Sequence, residues 1–137
     1  MENDIRTVDF YFENQCYPVD KYSQHAHMQP VGEEGFDYVP PQYVYSKITL
    51  LVAEEPAVFR VWADDPDIRL PGRLDLCVNG HAVMRHWFED GECTEYRRTP
   101  GIDLPGGGTG YRLELHIRVP FQRSAVTFGP NEEPPGK

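Results

Sequence analysis

No stretch of these 137 residues approaches the run of roughly eighteen apolar positions that a membrane-spanning helix requires. Cysteine is scarce. Cys16, Cys77 and Cys93 are an odd number without CxxC spacing, which argues against a disulfide framework and agrees with a reducing compartment. The chain opens Met-Glu-Asn-Asp-Ile-Arg, with acid where a secretory leader carries base and then apolar residues, so the sequence reads as cytoplasmic. Serine is equally scarce and no G-x-S-x-G elbow occurs. The glycine run at residues 106–110 lacks the Lys and Ser/Thr of a phosphate loop and leads into a strand pattern, with no helix start to hold an anion. Only Cys93, near Arg97 and Arg98, has cations in local sequence to lower a thiol pKa. No nucleophile, base and orienter come together, so neither an enzyme nor a cofactor is expected. Positive charge is also short: 13 Lys and Arg stand against 22 Asp and Glu, a net charge of −9. Nucleic acid binding needs cations on phosphates, so that partner class is excluded.

What the chain does have is alternation. At residues 111–120, Tyr111, Leu113, Leu115, Ile117 and Val119 alternate with Arg112, Glu114, His116 and Arg118, and Pro120 ends the run. That is a strand with one apolar and one wet face, as in an antiparallel sheet packed on one side. Similar patterns mark residues 5–13, 45–53, 73–78 and 81–88, the last two joined by Asn79-Gly80, a strong hairpin signal. Residues 57–63 read as the return strand of a second hairpin, with Phe59, Val61 and Ala63 on one face. Residues 92–98 form an edge strand blunted by Arg97 and Arg98. Residues 122–128 are the last strand, packed through Val126 and Phe128. With 13 Pro and 12 Gly, the expected fold is all-β: an antiparallel β-sandwich of about eight strands with one long N-terminal loop. A single domain spans residues 1–128, and residues 129–137 form a polar tail.

The long loop, residues 14–44, has no clean period, although residues 19–24 fit a helical turn. Six of the eight tyrosines lie in residues 11–45. They serve either as packing for a long connection or as a recognition surface, since tyrosine offers contact area at low entropic cost. On the second reading Tyr22, Phe36 and Tyr38 are anchors, and Glu33, Glu34 and Asp37 steer a basic partner. Asp64, Asp65 and Asp67 add to that field. Those three aspartates also suit calcium, as in a C2-type module, but a matching second aspartate loop is absent. His25 and His27, two apart, share a strand face as in a cupin-type metal pair, without the acid that normally follows.

The stretches Glu34-Gly35-Phe36, Phe59-Arg60-Val61, and Ile102 to Gly106 running into Tyr111-Arg112-Leu113 resemble ComJ-type nuclease inhibitors, and bacterial immunity proteins more broadly. That resemblance implies a protein-binding inhibitor. It agrees with the charge asymmetry: residues 1–68 hold four basic and thirteen acidic residues and so carry the whole excess. The expectation is a non-enzymatic module neutralising a basic protein such as a nuclease or toxin. The alternatives are a calcium- or small-ligand-binding sandwich and a structural subunit that assembles with copies of itself.

Overall fold

A computed structural model describes residues 4–28 and 41–128. It contains seven strands, β1 (Arg6–Phe12), β2 (Gln15–Met28), β3 (Pro41–Val52), β4 (Leu70–Val78), β5 (His81–Asp103), β6 (Thr109–Pro120) and β7 (Ser124–Phe128), with one helix, α1 (Ala57–Asp64). Every strand pair is antiparallel. The order β4-β1-β2-β3-β6-β5 closes on itself through β4–β5 pairing, and β7 adds to β5. Two long strands make the closure possible. β2 pairs with β1 as far as Val19 and with β3 from Val19 onward. β5 pairs with β4 and β7 over residues 81–91 and with β6 over residues 92–103. One wall is therefore β1-β4-β5-β7. The other is the second half of β2, then β3, β6 and the second half of β5. The all-β antiparallel expectation holds, with seven strands among the described residues where about eight were expected in the chain.

The core lies between the walls. Phe10, Ile48, Leu50, Leu74, Leu113, Leu115 and Val119 are fully buried, as the alternation in residues 111–119 requires. Asn79-Gly80 turns the β4–β5 hairpin with both φ angles positive, 51° and 83°, as a two-residue turn of this kind demands.

Three sequence expectations are corrected. Residues 57–63 are helical. Phe59 and Trp62, three apart, are buried while Val61 is 56% exposed, a helical spacing that a strand would contradict. Pro56 sits at the N-cap, where its missing N–H costs nothing. Residues 15–28 are a strand and not loop; an irregularity between Val19 and Lys21 shifts the side-chain parity and hides the period. Residues 41–44 of that expected loop begin β3, and residues 29–40 lie outside the described residues. Finally, β7 does not pack as expected: Val126 and Phe128 are 45% and 66% exposed.

Helix α1 plugs one mouth of the barrel. Phe59 stacks near Phe10 and Phe12, and Trp62 lies 4.5 Å from Phe12 between ring centroids. The Trp62 indole Nε1 donates to the Gly91 carbonyl at 3.0 Å. Glu55, just ahead of the helix, accepts hydrogen bonds from the Tyr96 hydroxyl and from Arg60 and Arg98, which ties the helix to β5.

Candidate assembly surface

The polar half of the alternation in β2, β3, β5 and β6 forms a ladder on the outside of the second wall. Register fixes its rows: His25, Tyr45, Arg118 and Glu92; then Ser23, Lys47, His116 and Glu95; then Lys21, Thr49, Glu114 and Arg97. The His25 and Tyr45 rings stack at 5.2 Å. Arg118 lies 4.9 Å from the Tyr43 ring centre and donates from Nε to Glu92 at 2.9 Å. Donating to the Glu92 carboxylate raises the Arg118 guanidinium pKa further. Arg97 pairs with Glu95 at 2.7 Å and reaches Glu114 at 4.0 Å, while Arg112 lies 3.7 Å from Glu114. The Glu92, Glu95 and Glu114 carboxylates are thus each matched to an arginine. A groove lined by Asp20, Lys21, Lys47, Arg112 and Glu114 crosses this face.

Among the described residues the wall has an unpaired edge on each side. Beyond Val19, β2 pairs only with β3; over residues 92–103, β5 pairs only with β6. Among the described residues no strand covers either edge. Backbone N–H and C=O groups along such edges are templates for another strand. Pro100, lacking an amide, blunts part of the β5 edge.

Of the nine residues expected to bind a partner, four are described. Tyr22 is half-buried against the core, and burial pushes its phenol up to about 12. Asp64 ends α1. Asp65 accepts the Asp67 backbone N–H at 2.9 Å, so it is engaged in its own turn. Glu33, Glu34, Phe36, Asp37 and Tyr38 lie outside the described residues. Among the described residues no three His, Cys, Asp or Glu side chains converge as metal ligands, so the calcium reading of Asp64 to Asp67 gains no support. The side chain of His27 is not among those described, and that of His25 stacks on Tyr45. Burial raises Cys93 to about 11, contrary to an activated thiol. The ladder's β3 and β6 rows were visible in sequence as alternation in residues 45–53 and 111–120. The edge along residues 92–98 was also read as an edge strand, whereas the β2 edge was not, because pairing partners leave no local signal.

No family model and no curated protein matches this chain. Solved structures do. Hcp1 from Flavobacterium johnsoniae superposes with a TM-score of 0.65 at 10% identity, over 90% of this chain and 96% of that one. A sheath-tube complex of an extracellular contractile injection system matches with a TM-score of 0.59 at 10% identity, over 88% of each chain. Hcp1 from Salmonella typhimurium matches with a TM-score of 0.57 at 9% identity, over 90% and 95%. At these identities the likeness establishes the fold. It also corrects the resemblance to ComJ-type inhibitors and immunity proteins, whose quoted stretches are short and common to β-rich chains. The inhibitor reading, and the basic nuclease or toxin partner it required, fall with that resemblance.

Proposed function

We propose that this chain is a non-enzymatic structural subunit that assembles with copies of itself into rings, and through rings into a tube of the kind a contractile injection system carries. The observation that supports this most directly is the four-stranded second wall with an unpaired edge on each side. The two edges belong to different strands, β2 and β5, so a contact between copies through them is heterologous. Such a contact generates a closed ring when the rotation closes. Strand direction suits it: β2, β3, β6 and β5 alternate, so a neighbour's β5 beside β2 continues the antiparallel pattern. The fold likeness to Hcp1 and to a tube complex, over nearly the whole chain, points the same way. In this reading the polar ladder faces the channel, where water keeps it solvated.

The test is mass against concentration, by sedimentation and mass photometry. A discrete multimer that stops growing once the ring has closed is expected. A monomer across the whole range, or a dimer that goes no further, would sink the proposal.

A further inference from the structure

Gln24 lies in the part of β2 whose outer edge is unpaired, yet the end of its side chain turns inward. Its Nε2 sits 2.8 Å from His86 Nδ1 and 3.4 Å from the Ser46 hydroxyl. His86 comes from the opposite wall and is 2% exposed. With the amide nitrogen donating, Nδ1 is the acceptor and the ring proton resides on Nε2. That N–H is buried and meets no acceptor among the described residues. Gln24 from β2 meets the ring, Phe88 lies 6.3 Å from it between centroids, and Leu74 of β4 and Val126 of β7 stand opposite His86 in register; none of these ionises between pH 4 and 7. Among the described residues no carboxylate is paired with this ring.

We propose that the Gln24–His86 contact is an acid-sensitive latch that holds residues 21–28 of β2 onto the barrel. Protonation puts a hydrogen on Nδ1 and removes the acceptor Gln24 uses. Gln24 could answer by turning its amide over, but the charged ring still carries an Nε2–H in an apolar interior without an acceptor. Relief comes when the Gln24 segment lifts and water reaches the ring. Burial acts in the same direction and holds the imidazole at about 4, below its ordinary 6.5. The sign follows: the closed form binds its proton less readily than the open form. Closure is therefore fully favoured above about pH 6.5 and is weakened up to ten-fold per pH unit as pH falls from there toward 4. The consequence for assembly rests on the tube reading, because the strand released is one whose edge would meet the next copy. The opening itself does not depend on that reading.

The experiment is hydrogen exchange of the full chain from pH 7 to pH 4.5, corrected for intrinsic rates, on the native protein and on His86→Asn. Asparagine keeps an acceptor near the Nδ1 position and does not titrate. The native protein should lose protection in residues 21–28, relative to residues 111–119, by up to ten-fold per unit below about pH 6.5, and the variant should show a flat ratio. If the variant does not fold, nitrogen NMR of the native His86 ring decides: a neutral Nε2–H ring kept to below pH 5 is expected. Equal pH dependence in the two proteins, or protonation of His86 near 6.5 with β2 unchanged, overturns the latch. Mass measured at the same pH values separates the two claims. Latch opening in a chain that never assembles removes the tube reading alone, whereas neutral-pH rings with an unresponsive β2 remove the latch alone.

Discussion

Phe88 occupies a slot that exists because two neighbours have no side chain. A Cβ on Gly72 would come within 2.6 Å of the Phe88 ring, and one on Gly91 within 2.5 Å. Phe88 is 2% exposed and has nowhere to retreat. Gly72→Ala should therefore destabilise the fold by about 1–3 kcal/mol, the usual scale of overpacking. Phe88→Leu in the same chain should recover part of that loss, and a double-mutant cycle by urea denaturation reads the coupling. Independent, additive losses would mean that the ring and the glycine do not share one space. Nothing in the alternation hinted at the slot, because glycine reads in sequence as a turn and here marks a close approach.

Glu55 is the second residue on which local order depends. Burial works to raise its pKa, but the hydrogen bond from Tyr96 and the guanidinium of Arg60 outweigh it, and the carboxyl is held below its ordinary value. A depressed carboxyl pKa gives stability that is present above the unfolded value, 4.5, and lost as pH falls through the folded one. Glu55→Gln should lower the melting temperature at pH 7 more than at a pH low enough to protonate the native carboxyl. An equal loss at both pH values would assign Glu55 to packing. In sequence Glu54-Glu55-Pro56 reads only as an acidic turn, since Tyr96 and Arg98 stand some forty positions away.

At the scale of elements, α1 shows where pattern reasoning failed. Val58-Phe59-Arg60-Val61-Trp62 fits period two and period 3.6 about equally over so short a run, and β-branched residues tilt the choice toward strand. The barrel mouth decides otherwise, because Phe59 and Trp62 together fill it. The two readings make opposite demands on Val61. Val61→Glu should change stability by no more than about 0.5 kcal/mol, since the side chain faces water. Trp62→Ala should cost about 3–5 kcal/mol by opening a cavity and leaving the Gly91 carbonyl without its donor. Thermal denaturation of the two variants checks both, and similar losses in each would contradict the helix. The strand β6, by contrast, was fully legible: each residue from Leu113 to Val119 lies on the face its alternation assigns. β2 was illegible because one irregular step after Val19 exchanged its faces, and because its outward half is polar while its inward half is only partly apolar.

At the scale of the whole molecule, the charge imbalance was read as steering toward a basic partner. Among the described residues Asp65 is turned onto its own loop, Tyr22 is packed inward, and the ladder carboxylates are held by arginines, while Glu33, Glu34 and Asp37 of that field lie outside the described residues. What sequence could not supply is closure. Which strand edge stays open depends on pairings between residues as far apart as Val8 and Leu76, or Cys93 and Ile117. The assembly reading depends on those open edges. A chain that exposes two different edges of one sheet is prone to unbounded association, and a ring is the arrangement that removes both edges at once.

The most direct test is electron microscopy of the purified chain at neutral pH. The account predicts hollow rings, stacking into tubes at high concentration, with the 21–28 stretch of each copy beside residues 92–103 of the next and the Lys47–His116 face toward the channel. Single copies at every concentration, or closed assemblies that leave both of those edges in solvent, would contradict it.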